Sequence, residues 1–134
     1  MNATSKDIAT ILEGISSLGL TFGVNLFIGR EPTTPSNCVT IYDTPGMPPQ
    51  LNLTDQGYEY PAVQIRVRDI KYQDGWDLIS AINKELHGLS YEITESGAEA
   101  TYTAIYCAMN PFLLDWDENS RARFVSNYNL QRHA

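Results

Sequence analysis

Ile8, Ile11, Leu12, Ile15 and Leu18 recur at i, i+3, i+4, i+7 and i+10, the apolar stripe of an amphipathic helix over residues 5–18. Thr4 or Ser5 is placed to cap it, and Asp7 in its first turn complements the helix dipole. Gly19 and Gly23 break the pattern, and the run 24–29, VNLFIG, has the composition of a short strand. A polar loop over 30–37 leads to a second strand over 38–43, with Val39 and Ile41 on one side and Thr40 and Tyr42 on the other. Residues 44–60 then show neither period. Pro45, Gly46, Pro48, Pro49 and Gly57 predict a connection without regular structure, and one of this length in a small domain points to a functional or disordered loop. Met47, Leu51, Leu53, Tyr58 and Tyr60 make it too apolar for simple disorder.

The clearest alternation in the chain follows over 62–69. Val63, Ile65 and Val67 face the core, while Gln64, Arg66 and Arg68 face water or a partner. A second helix is predicted over 74–87, with Trp76, Ile79, Ile82 and Leu86 on its buried side and Gly88 as its stop. Residues 91–94 and 100–109 read as a hairpin turning at Glu95, Ser96 and Gly97. Its second strand alternates Tyr102, Ala104 and Tyr106 with Thr103, Ile105 and Cys107. A loop over 111–120 precedes a last strand over 123–130 that carries Phe124, Tyr128 and Leu130 on one side. The order α-β-β-loop-β-α-β-β-β predicts an α+β fold: one antiparallel or mixed sheet of about five to six strands packed by two helices. Residues 1–134 read as a single domain with a long interaction loop at 44–60. An open sheet of this size leaves edge strands, which are templates for pairing with another chain.

Composition narrows the function classes. At 134 residues and 43% hydrophobic, one domain buries enough surface to stand without a disulfide or a metal. The two cysteines, Cys38 and Cys107, have no CxxC or Cys/His spacing, which excludes a zinc ribbon or haem attachment and fits a reduced, intracellular setting. The first twenty residues lack the basic and apolar regions of a signal peptide, and no apolar run approaches a membrane span. The formal charge is -7, and a sequence pI near 4.6 argues against nucleic-acid binding as the main activity. All of the excess lies in one stretch: Glu85, Glu92, Glu95, Glu99, Asp115, Asp117 and Glu118, with no Lys or Arg among them. Such a run reads either as a solvated hairpin and loop or as a surface that repels polyanions.

No catalytic constellation emerges. His87 ends a helix and His133 lies in the tail, neither in a motif with a nucleophile. The nucleophile-elbow, dinucleotide, phosphate-loop and zinc signatures are absent. Asp115, Asp117 and Asn119 match the start of a calcium loop, but Ser120 stands where its Gly belongs and Ser126 where its bidentate Glu belongs, so turn formation is the better account. Asp74 and Asp77 sit where a helix start favours acids anyway. The eight tyrosines remain distinctive. Tyr42, Tyr58, Tyr60 and Tyr72 flank the long loop and the Arg66/Arg68 strand, and Tyr and Arg are enriched both at protein contacts and, for the aromatics, in cores.

Several of these residues together resemble a family of bacteriophage minor capsid or tail-completion proteins similar to tail terminators. The likeness rests on Tyr42-Asp43-x-x-Gly46, on Tyr58-x-Tyr60-Pro61 entering the strand of Gln64, Arg66 and Arg68, on Tyr72 before a helix, and on Arg123-Phe124-x-x-Asn127-Tyr128 in the last strand. The family's two-Gly turn is Pro45-Gly46 here. The resemblance implies a virion protein, assembled in the bacterial cytoplasm, that forms a ring of six copies at the head-proximal end of a long tail tube. It implies no enzymatic activity and no cofactor. Its partners would be further copies of itself, the tail tube protein and a neck or head-completion protein, with DNA passing but not bound specifically and no membrane involved. Within this class a neck or head-completion connector is the alternative; outside it, a small-ligand-binding α+β domain.

On that expectation Met47, Leu51, Leu53, Tyr58, Tyr60, Arg66 and Arg68 are candidates for subunit or partner contacts. Glu92, Glu95, Glu99, Asp115, Asp117 and Glu118 are candidates for an acidic lumen, because a wall that does not hold phosphates does not retard DNA. The hairpin over 91–109 is the expected carrier.

Overall fold

Ile8, Ile11 and Leu12 are buried as their spacing requires, on a helix α1 that spans Thr4–Glu13. It is shorter than the predicted 5–18, because the chain turns at Gly14 and continues as a 3-10 turn, Ser16–Leu18, that leaves Ile15 and Leu18 only partly buried against the core. Neither Thr4 nor Ser5 caps this helix. Its start is held by Asp43, 38 residues away, whose carboxylate accepts from the Ser5 backbone N–H at 2.9 Å and from Ser5 Oγ at 2.7 Å. A cap supplied across the sequence is invisible to local pattern.

The computed structural model describes residues 1–49 and 57–134. After α1 come β1 (Leu26–Ile28), β2 (Cys38–Met47), β3 (Tyr60–Asp69), α2 (Tyr72–Leu86), β4 (Leu89–Ile93), β5 (Ala100–Trp116) and β6 (Ala122–His133). The strands form one mixed six-stranded sheet in the order β1-β2-β3-β6-β5-β4, parallel only between β1 and β2. Both helices pack on one face. Val39, Ile41, Val63, Ile65, Val67, Phe124, Tyr128 and Leu130 line that face, and with Ile79, Ile82 and Leu86 of α2 they form the core. Each such Ile, Leu or Phe stabilises the fold by about 1.5–3 kcal/mol when withdrawn from water. Trp76, expected on the buried side of α2, stays partly exposed beside Phe124, because Gly75 brings the helix so close that a Cβ there would lie 2.8 Å from the Phe124 ring. The α+β expectation holds.

Two predicted loops are partly strand. β2 runs on through Pro45 and Gly46 to Met47, which pairs with Tyr60 across a register shift. Proline is tolerated there because no strand covers that side of β2 among the described residues. Gly46 is required, since a Cβ would collide with the Tyr60 carbonyl. Likewise the predicted loop over 111–120 is strand as far as Trp116. β5 takes fifteen steps from Thr101 to Trp116 while β6 takes eleven from His133 to Ala122, so four extra residues are absorbed at register shifts along their pairing. One shift lies between Tyr102 and Ala104, and it brings Tyr102 and Ile105 into the same core despite their odd spacing. Strict alternation, the signal used to read the strand, is lost at each shift.

Candidate assembly surface

Among the described residues the second face of the sheet carries no helix. The strand period and register set Tyr42, Gln64 and Asn127 in one row, Thr40, Arg66 and Val125 in the next, and Cys38, Arg68, Arg123 and Asp115 in a third. The third row is roofed by residues 30–37. Arg68 is 2% exposed and directs all of its guanidinium nitrogens into the chain: to the carbonyls of Ser36, Thr33 and Pro35 at 3.0, 3.4 and 2.7 Å, and to Glu31 at 3.2 Å. The same Glu31 oxygen accepts from Arg123 at 3.1 Å, and Arg123 closes a two-pronged pair on Asp115 at 2.6 and 2.8 Å. Hydrogen bonding to Asp115 raises the Arg123 pKa against the cost of burial. Arg121 bonds Asp117 at 2.7 Å and the Thr33 carbonyl at 2.7 Å. Desolvation works against the Asp117 carboxylate, yet the Arg121 and Asn119 backbone N–H groups and the Arg121 side chain lower its pKa on balance.

Beyond the roof the face is partly open among the described residues: Thr40 and Val125 are fully buried, while Tyr42, Gln64, Arg66 and Asn127 are half exposed. Arg66 lies over the Tyr42 ring at 4.9 Å and donates to Gln64 at 2.8 Å, and Gln64 donates to Asn127 at 3.0 Å. Beside this polar row β5 presents Tyr106, Met109 and Phe112, all exposed; Leu114 and Trp116 are exposed further along, Trp116 on the helix-covered side. Trp116 stacks on Tyr72, which meets Phe124 edge-on.

On the helix-covered face, Tyr102 donates from its hydroxyl to buried Asp7 at 2.6 Å and accepts from Arg132 at 3.1 Å. Burial, reinforced by the bond to Asp7, pushes that hydroxyl pKa far up, so the phenol stays neutral. Arg132 also bonds Glu59 at 2.8 Å, anchoring the last residues of the predicted loop over 44–60. Asp7 thus belongs to a buried network as well as to a helix start.

The interface candidates are scattered by this geometry. Met47 stands 74% exposed on the end of β2, Tyr60 lies opposite it, and Tyr58 packs edge-on against His133. Leu51 and Leu53 lie outside the described residues. Arg66 is accessible, but Arg68, two residues along the same face, is not, because the 30–37 loop covers it. Of the acidic set, Glu92, Glu95, Glu99 and Glu118 are exposed, whereas Asp115 and Asp117 are neutralised by Arg123 and Arg121. Pattern reading passed over Glu31, the hub of the roofed row, and the apolar edge of β5. The run Phe112-Leu113-Leu114 inside a predicted loop was the one signal for the latter. His87 ends α2, and its Nδ1 accepts the Cys107 N–H at 2.9 Å.

Among the described residues no group of three or more His, Cys, Asp or Glu is placed to hold a metal, and no helix is long and apolar enough to cross a membrane. Among the described residues the molecule offers a sheet with uncovered edge segments, a partly open face and exposed aromatic side chains, features that suit contacts with other chains. The chain belongs to the bacteriophage tail terminator family, whose model, described as "Bacteriophage tail terminator protein", matches residues 6–133. Its role is therefore structural, in completing a phage tail. Among solved structures, a chain of "Virion of native gene transfer agent (GTA) particle" is similar at a TM-score of 0.66, with 9% identity over 95% of this chain and 92% of that one. At that identity the likeness is one of fold. No curated protein matches the chain in sequence.

Proposed function

We propose that six copies of this chain form a ring at the head-proximal end of the tail tube, where the ring stops tube growth and offers a new surface to the neck. The observation that carries the reading is family membership over nearly the whole chain. The partly uncovered ends of the sheet support it, because a closed ring needs two different, mutually complementary surfaces on each subunit. The partners in this reading are other copies, the tail tube protein and a neck or head-completion protein; the location is the head-proximal end of the tail. Met47, Tyr58, Tyr60 and Arg66 are contact candidates around the loop over 44–60.

DNA passes through such a ring without specific binding. Glu92, Glu95, Glu99 and Glu118 are the carboxylates with charge left to face a lumen, and their stretch of chain has no cation to hold phosphates. Omitting the protein from tail assembly tests the reading. Tails of unregulated length that fail to join heads, and whose length control returns on adding the protein, are expected. Tails of normal length that still fail to join heads would instead support a neck connector.

A further inference from the structure

The two ends of the sheet are each half covered, and in opposite halves. β1 pairs with β2 only at Val39, Thr40 and Ile41, although β2 continues to Met47. β4 pairs with β5 between Ala100 and Ile105, and the bond from Cys107 N–H to His87 ends that covering, although β5 continues to Trp116. Among the described residues this leaves 42–47 of β2 and 109–116 of β5 with one open side each. The register puts Cys38 in the row of Asp115, and Thr44 in the row of Ala62, Asn129 and Tyr106. The open stretch of β5 therefore lies towards one end of the strands and that of β2 towards the other. β2 and β5 run antiparallel, since three successive antiparallel pairings separate them.

We infer that the open half of β5 on one copy receives the open half of β2 on the next, antiparallel and head to tail, so that the subunit sheets join into one. This rests on the ring reading and specifies how the ring closes. The steps interlock: β4 of the first copy ends where β2 of the second ends, and β1 of the second begins beyond Trp116 of the first. Each junction shifts the sheet along the strands, the stagger that tilted strands need to close a ring. Charge is compatible with the pairing: Glu118 is exposed at the β5 end, where Asp115 is already paired with Arg123, and exposed Lys6 stands on the β2 side next to Ser5, the partner of the exposed Asp43. Each open stretch contains a proline within a register shift, Pro45 and Pro111, so the joined ladder lacks a donor at each and is carried by the remaining backbone groups. Met47 meets Met109 and Phe112 in the joined sheet.

Mixing two blocked variants tests this. The double substitution Met109→Asp and Phe112→Asp spoils the β5 edge, and Met47→Asp spoils the β2 edge; all three side chains are exposed, and circular dichroism with thermal melting checks that the variants fold. Each variant alone should self-associate about thirtyfold more weakly per substituted anchor. An equimolar mixture should give dimers and nothing larger, because each partner retains one good edge, as read by native mass spectrometry in solution and on purified tail tubes. A mixture with no dimers, or either variant alone entering full assemblies like the wild type, overturns the edge assignment while multi-copy wild-type assemblies leave the ring reading standing. Wild-type protein found as single copies both in solution and at tube ends overturns both.

Discussion

The helix-free face is built on the same strands at both ends, yet its ends differ in kind. At the roofed end Arg68, Arg123 and Arg121 are committed to Glu31, Asp115, Asp117 and the carbonyls of the 30–37 loop, so charge there holds the fold. At the open end Arg66 rests on Tyr42 beside Gln64 and Asn127, and the apolar side chains of β5 reach solvent. Two arginines of one strand, two residues apart, thus divide between a buried network and an accessible surface. What separates them is whether a loop crosses above: burial makes an ion pair obligatory, because a single buried charge is costly, while exposure leaves it optional.

The sharpest way to break the roofed end is Arg68→Ala. It removes the donor from the Ser36 and Pro35 carbonyls and leaves Glu31 to Arg123 and the Thr33 carbonyl to Arg121 alone, and a loss of about 3–5 kcal/mol in unfolding free energy, from several charged hydrogen bonds lost at once, is expected by denaturant titration. An unchanged midpoint would mean that the roof contributes little. The other face gives the next largest effect. Tyr102→Phe removes the donor to buried Asp7 and should cost about 1–3 kcal/mol.

Tyr102 and Tyr128 also set an alkaline limit. Burial is the first cause of both raised pKa values, so the neutral phenols favour the folded state fully below the unfolded tyrosine value of about 10, and that stability is lost as the pH climbs from there through the folded values. The melting temperature should fall above about pH 10, and less so in Tyr102→Phe.

Arg66→Gln sharpens the comparison from the open side. Stability should stay within about 0.5 kcal/mol, as for surface changes generally, while assembly onto tubes weakens. The reverse pattern, an unfolded variant or unimpaired assembly, would erase the distinction between the two arginines. The smallest effect is that of acid on Asp117. Its lowered pKa contributes stability above the ordinary carboxylate value of about 4, lost as the pH falls through the lower folded value, so a slight acid-side slope is expected in the stability curve and should be absent from Asp117→Asn, which also costs stability at neutral pH by leaving buried Arg121 without its carboxylate.

Much of this was legible in the chain itself. The 3.6-residue stripe of Ile79, Ile82 and Leu86 and the two-residue alternation of Val63, Ile65 and Val67 state which side of each element is buried, because withdrawing apolar surface from water drives folding more than any other effect and repeats with the backbone period. The Tyr42-Asp43-x-x-Gly46 motif also has a local rationale at Gly46, where the Tyr60 carbonyl leaves no room for a Cβ. Only the tertiary structure decided the rest. That Asp43 caps α1, that Asp7 bonds Tyr102, and that Arg68 is buried while Arg66 is not all depend on partners 30 or more positions away, which no window of sequence contains. The length of β5 was hidden for a related reason: register shifts exchange alternation for curvature, and that exchange is settled by the strand alongside.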